Sequence, residues 1–478
     1  MKLLLFTKIL LLSMSLYAAH VVTYTPSVEI KASEWFSTTV AGKKCFVYDN
    51  EVAPFTYFDT DGGVVMEIYS KREVKWMEIK PKSLGLTYTY SGNNIRIKID
   101  KPCQFSVEIN NMPYKEPLLV FANSIEKSKP SKKDTNIVFF EEGKIYQAGK
   151  IALKSGKTIY IEGGAVVQGC INIYNAQNIK ILGRGILDGV NNWEYNKNEW
   201  HHFLEFKDCK NVTLSGINLI RARTWEVVSL HSQNVLVDNI HIVSEYGSDD
   251  GIDIVHTQNM TIKNSFIRSK DDNIVVKCSG EYSRTESTKD IHVENCVLWN
   301  TTFGNSIEIG FELQADTIKN IRFTNCDVIH CESGAVFSIH NTDFAVVKDV
   351  VFENIRVEEA KQKLFDLSIF LSRYSKDNIF SDKETNERYW HGVWDNAILL
   401  SKDEQQKFSK NRGKIENIVF RNIYLNDTQL PFSVLEGFDE AHKVQKIIFE
   451  NIIYNGRKLN SGSQGRFISK FADSFVFK

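Results

Sequence analysis

Three stretches in the middle of the chain place carboxylates beside short runs of alternating apolar residues. They are Ser248-Asp249-Asp250-Gly251-Ile252-Asp253-Ile254, Lys270-Asp271-Asp272-Asn273-Ile274-Val275-Val276-Lys277 and Gly304-Asn305-Ser306-Ile307-Glu308-Ile309-Gly310. If the alternating Ile and Val residues face a shared interior, Asp250, Asp272 and Asn305 fall in one outward column, with Asp271 beside it. The pattern therefore predicts carboxylates gathered within a few ångströms on neighbouring strands.

Such crowding needs a reason, because like charges about 5 Å apart destabilise a sheet. The carboxylates either hold a cation such as Ca²⁺ or perform acid/base chemistry with one member protonated. Glycoside hydrolysis uses this pairing: an acid protonates the leaving oxygen and a base activates water, the two being about 6.5–9.5 Å apart in inverting enzymes. We favour catalysis by Asp250, Asp271 and Asp272 over a metal-only site or an ordinary acidic surface.

Other polar residues on the same stretches are candidate substrate contacts. Asp253 points outward and is an alternative base, whereas Asp249 is expected to orient its neighbours. Lys277 and Glu308 share the face of the aspartates, where they either bind sugar hydroxyls and tune the acid or form a cross-strand ion pair. Asn305, in the column itself, is a further candidate contact.

Aromatic and histidine residues near these stretches are weaker candidates. Trp225 and Tyr246 could support a sugar ring or pack against a turn. Among His256, His330 and His340, we retain His340 as a substrate contact, although a lone histidine is more often a satisfied surface residue. The sequence has no His/Cys cluster with metal-ligand spacing and no phosphate-binding glycine loop, so we expect no cofactor.

A repeat after residue 136 would position these residues. Its unit is Asn or Asp, alternating apolar residues, and a second Asn five residues on, as in Asn234 with Asn239. Unit starts from Asn211 to Asp349 are 23, 25, 31, 30 and 29 residues apart. This period and the apolar period of two predict an all-β solenoid, a right-handed parallel β-helix over 131–478, with Asn at a bend of each coil.

The repeat is interrupted once, because the interval from Asp349 to Asn417 is 68 residues. An insertion over about 360–412 is predicted, either a binding wall or a capping loop. Its aromatic residues are Phe370, Tyr374, Tyr389, Trp390, His391 and Trp394.

The N-terminal part has a different pattern. Residues 1–19 are predicted to be a signal peptide, with Lys2 before an apolar run too short to cross a bilayer, so we expect a secreted, periplasmic or cell-surface protein. Residues 20–130 carry closely spaced period-two segments, which predict an antiparallel β-sandwich. The net charge of −1 offers no basic surplus for nucleic acid or for an anionic membrane.

The three carboxylate stretches resemble the motifs of the polygalacturonase-like clan of glycoside hydrolases, families 28 and 49. Those motifs are an (N/Q)-T-D-G coil, a D-D coil and a third coil containing glycine. The sequence looks closer to family 49, the dextranases and isopullulanases, which also have a sandwich before the helix. Asn305 stands where polygalacturonases carry the His of G-H-G. Ser338-Ile339-His340 stands where they carry the uronate-binding R-I-K, and Val328-Ile329-His330 looks like a family 49 V-I-H stretch.

The resemblance implies roles for individual residues. Asp271 matches the general acid, and Asp250 and Asp272 match the pair that activates water without a covalent intermediate. It implies a polysaccharide or oligosaccharide substrate, most readily a neutral α-glucan such as dextran. Three alternatives stay open: a polygalacturonase, a non-catalytic carbohydrate-binding β-helix, and a lyase that would need Ca²⁺.

Overall fold

The computed structural model describes residues 19–111, 117–190, 202–280, 286–379, 398–427 and 429–478. The predicted signal peptide, apart from residue 19, lies outside these ranges, as do Tyr389, Trp390, His391 and Trp394 of the predicted insertion. No helix in the described ranges combines the length and apolarity needed to cross a bilayer.

The N-terminal part forms two packed sheets. One has the order β1-β5-β11-β10-β7, with β4 paired to β5, and the other has the order β3-β2-β6-β9-β8. All pairs are antiparallel except β5 with β11. The strands are β1 (Val21–Thr23), β2 (Phe36–Val40), β3 (Lys43–Cys45), β4 (Val47–Tyr48), β5 (Phe55–Thr60), β6 (Val64–Ser70), β7 (Met77–Lys80), β8 (Thr87–Ser91), β9 (Asn94–Ile99), β10 (Cys103–Ile109) and β11 (Leu118–Ser124).

The remaining strands form one continuous sheet of 30 strands that winds into a parallel β-helix. Its first half contains β12 (Ile137–Phe140), β13 (Ile145–Ile151), β14 (Thr158–Ile161), β15 (Val166–Tyr174), β16 (Gln177–Gly183), β17 (Ile186–Asp188), β18 (Leu204–Lys207), β19 (Lys210–Ser215), β20 (Asn218–Ile220), β21 (Val227–Leu230), β22 (Gln233–Asp238), β23 (His241–Val243), β24 (Ile252–Val255), β25 (Gln258–Lys263) and β26 (Phe266–Ser269). Its second half contains β27 (Ile274–Cys278), β28 (Lys289–Glu294), β29 (Val297–Asn300), β30 (Ile307–Leu313), β31 (Thr317–Thr324), β32 (Asp327–Cys331), β33 (Ala335–Asn341), β34 (Val346–Val357), β35 (Lys363–Ile369), β36 (Lys414–Leu425), β37 (Phe432–Glu436), β38 (Val444–Tyr454), β39 (Arg457–Lys458), β40 (Phe467–Lys470) and β41 (Ala472–Phe477). The predicted fold class is confirmed.

Asparagines at the bends explain the repeat seen in the sequence. Asn211, Asn234 and Asn259 have φ angles of 59°, 58° and 56°, in the left-handed region that Asn tolerates better than most residues. Each also donates from its Nδ2 to the equivalent residue one coil earlier: Asn211 to Asn178 at 2.9 Å, Asn234 to Asn211 at 2.9 Å and Asn259 to Asn234 at 2.7 Å. The ladder fixes the bend and the spacing of the coils together.

The predicted insertion is only partly an excursion. β35 lies inside it but pairs in parallel with β33 and β37, so residues 363–369 belong to the wall of the β-helix. A short helix, α1 (Lys402–Ser409), follows later and begins with a capping box in which the Ser401 side chain and Glu404 satisfy each other's backbone amides.

Apolar side chains join the two domains. The six-stranded sheet contributes Tyr48, Phe55, Tyr57, Leu119 and Phe121, which pack against one wall of the β-helix that includes Val243, Phe266 and Trp299. Arg184 of the β-helix pairs with Asp59 of the sandwich at 3.0 Å. The five-stranded sheet therefore lies on the side of the sandwich remote from the β-helix.

Candidate active site

Three strands stacked on successive coils position the carboxylates. β24, β27 and β30 pair in parallel with Ile252, Ile274 and Ile307 in register, and all three side chains are buried in the core of the β-helix. Asp250, Asp272 and Asn305 precede these residues by two positions, so they form the column that the alternation predicts.

The structure brings Asp250, Asp271 and Asp272 together. One carboxylate oxygen from each lies within 4.8 Å of those of the other two. Asp250 and Asp272 are buried, whereas Asp271 is only partly buried. Asp271 is therefore the member of the cluster best placed to meet a substrate from solution.

Hydrogen bonds to backbone and amide groups fix the pair Asp271 and Asp272. The Asp272 amide donates to Asp271 Oδ1 at 3.1 Å. Asn305 donates to Asp272 Oδ1 from its backbone nitrogen at 2.6 Å and from its Nδ2 at 3.3 Å. Asn305 Oδ1 in turn accepts from the Ala335 amide at 2.8 Å. Asn305 thus orients Asp272.

Gly304 leaves the space that Asp271 occupies. A Cβ at this position would lie 2.3 Å from Asp271 Oδ1 and 2.5 Å from the Asp272 nitrogen, and the φ of Gly304 is +62°. Both the contact and the backbone conformation call for glycine here.

Lys277 supplies a buried positive charge to the cluster. Its Nζ lies 2.7 Å from Asp250 Oδ2 and 3.0 Å from Asp253 Oδ1, and 3.9 Å from the centre of the Trp225 ring. Lys277 thus joins Asp250 and Asp253 in one buried ion-pair network. Three carboxylates at this spacing could also hold a Ca²⁺ ion, but Lys277 already provides one cation at Asp250.

The remaining carboxylates of the cluster hold their protons more tightly than usual. Burial, and then the charge of Asp250, raises the pKa of Asp271 to about 7. Burial and the charges of Asp250 and Asp271 raise the pKa of Asp272 well above its ordinary value. Burial likewise raises the pKa of Asp253, although Lys277 opposes this effect. A proton donor is therefore available near neutral pH.

Asp249 connects two segments that border the cluster. Its Oδ2 accepts from the Tyr246 amide at 2.7 Å and its Oδ1 from the Lys270 amide at 3.1 Å. The Tyr246 ring lies beneath the Arg223 guanidinium at 4.8 Å. Trp225 stacks on His202 with ring centres 4.8 Å apart, and the Lys277 ammonium lies 3.9 Å from the centre of the Trp225 ring. Trp225 and Tyr246 are both partly exposed beside the aspartates.

Glu308 and His340 lie one step further along the β-helix in a closed network. His340 Nδ1 is 3.0 Å from Glu308 Oε2 and its Nε2 is 3.2 Å from Asp366 Oδ2. Lys363 pairs with Asp366, and Ser338 donates to Glu308. His340 is 1% exposed. Burial opposes its protonation, but the two carboxylates raise the pKa of His340 well above its usual range. A direct sugar contact would require this network to open.

The other two histidines are structural. His256 donates from Nδ1 to the Glu286 carbonyl at 2.7 Å and from Nε2 to the Ser279 carbonyl at 3.0 Å. Despite burial, its hydrogen bonds raise the pKa of His256 to about 9. His330 lies at the domain interface, where Nε2 is 2.7 Å from Glu108 Oε1 of the sandwich. The V-I-H stretch therefore meets the first domain and not the partly exposed surface around Asp271, Trp225 and Tyr246, which we name the carboxylate groove.

Sequence reasoning missed several residues around the groove. Phe303 is 43% exposed next to Gly304, with the Lys270 ammonium 5.2 Å from its ring. Phe311 stacks on His340 with ring centres 5.1 Å apart. Asp366 pairs in register with Ser338, which in turn pairs with Glu308. Extending the strand column of Glu308 by two coils would have found Asp366.

The fold and the groove define a parallel β-helix of the polygalacturonase-like clan. Residues 121–370, slightly more than half of the chain, match the sequence model of glycosyl hydrolases family 28. The chain belongs to that family.

Individual relatives are distant. An exopolygalacturonase of Arabidopsis thaliana is 25% identical over 182 residues, covering 32% of this chain and 43% of the relative. A probable exopolygalacturonase B of Aspergillus terreus is 26% identical over 210 residues, covering 39% of this chain and 46% of the relative. The matches thus span somewhat less than half the length of these relatives.

Solved structures with the same fold extend over more of the chain. Dex49A from Penicillium minioluteum aligns with a TM-score of 0.69 at 14% identity and covers 95% of this chain and 96% of that one. An exopolygalacturonase from Thermotoga maritima aligns with a TM-score of 0.52 at 16% identity, covering 71% and 84%. The predicted membership of the polygalacturonase-like clan is confirmed by the family 28 match, whereas the similarity to Dex49A is one of fold.

Proposed function

We propose that this protein is an exported polysaccharide hydrolase in which Asp271 is the general acid and Asp250 and Asp272 activate the attacking water. One observation carries the proposal: three carboxylates converge, and the most accessible of them has a pKa of about 7. An acid with that pKa is protonated in part of the molecules at neutral pH and can donate as the glycosidic bond breaks.

The proton balance follows from the charges of the cluster. Protonated Asp271 gives its proton to the leaving glycosidic oxygen while the bond from that oxygen to the anomeric carbon breaks. Water attacks the anomeric carbon and loses a proton to Asp250, whose Oδ2 lies 2.7 Å from Lys277 Nζ. Asp271 then recovers a proton from solvent, and the base releases one.

The stereochemical outcome needs its own test. One oxygen of each carboxylate lies within 4.8 Å of those of the other two. Inverting and retaining enzymes differ in the separation of whole carboxyl groups, about 6.5–9.5 Å against about 5–5.5 Å, so inversion rests on the clan resemblance and not on these nearest-oxygen distances. Proton NMR of the first-formed anomer distinguishes the two outcomes, and retention would make one aspartate a nucleophile.

A neutral glycan, such as a dextran-like α-glucan, is the substrate class we favour. Lys277 is paired with Asp250 and Asp253, and His340 lies between Glu308 and Asp366, so these two cations are already engaged by carboxylates of the protein. Ser338 is uncharged where a uronate-binding pair would begin. A polymer carrying one carboxylate per sugar would meet an excess of negative charge here.

Polygalacturonate is the second candidate substrate, because two of the relatives described above are named as an exopolygalacturonase and a probable exopolygalacturonase. Release of reducing ends from dextran, pullulan and polygalacturonate by the purified protein, with Asp271→Asn as control, decides between the two. Cleavage of polygalacturonate alone would reject the neutral glycan. Binding without cleavage would instead support a carbohydrate-binding β-helix, and a Ca²⁺-dependent product absorbing in the ultraviolet would support a lyase.

A further inference from the structure

The outer face of the five-stranded sheet is exposed on the side of the sandwich remote from the β-helix. Its inner side chains, including Phe36, Met66, Ile68 and Ile97, are buried between the two sheets of the sandwich. The six-stranded sheet, and not this one, provides the apolar contacts to the β-helix. The outer face is therefore separate from the carboxylate groove.

Two rows of side chains cross this face. In the first row, register pairs run from Lys44 through Thr39, Glu67 and Arg96 to Thr89. In the second, they run from Ser37 through Tyr69 and Asn94 to Ser91. The two rows are thus made of hydroxyl, amide and charged groups around one tyrosine.

These rows line a groove of about 970 Å³, bordered by Ser33 and Phe46 on one side and by Tyr90 on the other. Tyr69 is 51% exposed and Tyr90 40% exposed. Strands lie about 4.8 Å apart, so five strands span about 19 Å, the length of several sugar units. The groove thus has the extended shape of a site for a chain molecule.

We propose that this groove is a second glycan-binding surface, which holds a neutral polysaccharide chain while the β-helix acts on the same polymer. The exposed Tyr69 ring offers stacking to a sugar ring, and the hydroxyl, amide and guanidinium groups of the groove offer hydrogen bonds to sugar hydroxyls. The lining combines these polar groups with apolar side chains such as Phe36, Phe46 and Ile68. Lys44 and Arg96 face Glu67, so the groove lacks the strong positive charge that a nucleic acid requires.

Holding the polymer at a second point would raise its effective concentration at the carboxylate groove. The choice of a neutral glycan as ligand rests on the proposed function, whereas the existence of the surface does not. The advantage should be greatest on insoluble or very long substrates, because a short oligosaccharide cannot reach both sites.

The test measures binding in a full-length Asp271→Asn background, so that a failure of catalysis cannot be mistaken for a failure of binding. The fraction of protein depleted by insoluble α-glucan particles is measured for that protein and for the same protein carrying Tyr69→Ala and Arg96→Ala. We expect the association constant to fall at least tenfold when both side chains are removed.

Lys98→Ala is the matched control, because Lys98 lies on the strand of Arg96, is exposed, and falls outside the groove. It should bind the particles as the parent does, and the melting temperatures of all variants should agree. Unchanged binding by the double variant would overturn the proposal, as would preferential depletion by cross-linked polygalacturonate. If the particles remove the protein from solution but the wild-type chain does not hydrolyse the glucan, the proposed binding surface would be supported and the proposed activity rejected.

Discussion

Two buried clusters of charged residues in this molecule have opposite ionisation behaviour. At the domain interface, Lys80, Glu108, His330 and Glu359 lie together, with His330 Nε2 2.7 Å from Glu108 and Lys80 Nζ 3.8 Å from Glu108 and 3.6 Å from Glu359. In the groove, Asp250, Asp271 and Asp272 gather around one lysine. Both clusters combine carboxylates with buried cationic side chains, but the ratio of carboxylates to cations is higher in the groove.

That ratio decides what burial does. At the interface, burial alone would raise the pKa of Glu108, but the charges of His330 and Lys80 hold it below its ordinary value. In the groove, burial and the charge of Asp250 act in the same direction and raise the pKa of Asp271 to about 7. The interface cluster, in which cations and carboxylates are balanced, stabilises the contact between the two domains. The groove cluster, which is unbalanced because carboxylates outnumber cations, holds a proton that can be transferred near neutral pH.

The largest expected effect is on catalysis by the unbalanced cluster. Asp271→Asn keeps the size of the side chain but removes the transferable proton, so kcat should fall by about 10³-fold. The melting temperature should not fall, since one of three crowded carboxylates is removed. Asp349→Asn, the same change in the asparagine ladder, should keep full activity. More than a tenth of the wild-type rate in Asp271→Asn would contradict the assignment.

The balanced cluster should respond in stability. His330→Leu removes the cation closest to the buried Glu108 carboxylate and leaves Lys80 Nζ 3.8 Å from it, so the free energy of unfolding should fall by about 3–5 kcal/mol in urea titrations. Adding Glu108→Leu should recover much of that loss, because the unpaired charge is removed as well. Activity at 25 °C should persist in the single variant. A double variant as unstable as the single one would show that packing, not charge, holds this interface.

A smaller effect should follow from moving the acid without changing it. Gly304→Ala places a methyl group against Asp271 Oδ1, and we expect kcat to fall by about tenfold to a hundredfold. Gly456→Ala is the control for backbone conformation, because its φ is +76° and nothing lies within 4 Å of the added carbon. If both variants lose the same modest stability and neither loses rate, Gly304 has no role in placing the acid.

The smallest effect is a shift of rate and stability with pH. Because Asp271 must be protonated to act, kcat/KM should decline tenfold per pH unit above about 7. The folded-state pKa exceeds the unfolded value of about 4, so this carboxyl's contribution to stability is full below pH 4 and is lost as pH rises to about 7. Asp271→Asn should flatten the stability profile in that window. An alkaline limit beyond pH 9 would exclude Asp271 as the acid.

The sequence was sufficient for features that depend on local pattern. The alternation of Ile252, Ile254, Ile274 and Ile307 gave both the strand direction and the register, and hence the column of Asp250, Asp272 and Asn305. The constant Asn interval predicted the β-helix because it reflects one bend per coil. Both inferences require only the length of the repeat and the alternation of apolar residues in neighbouring coils.

Features that depend on distant partners were beyond the sequence. Glu108 and Lys80 are 222 and 250 residues from His330, and no repeat links the two domains. The burial of His340 between Glu308 and Asp366 depends on how three coils stack. His256 looked available only because its acceptors are backbone carbonyls, which every residue has.

The asparagine ladder tolerates interruptions of very different length. Asn417 donates to Asp349 at 2.5 Å although 68 residues separate them, much as Asn234 donates to Asn211 across 23. The hydrogen bond at the bend of each coil thus forms regardless of how many residues lie between that bend and the equivalent bend of the preceding coil. In such a scaffold, the segments that border a catalytic cleft can be lengthened or replaced without moving the strands that carry the aspartates. The shape of the cleft, and therefore the polymer that it binds, can change while the positions of the acids are kept.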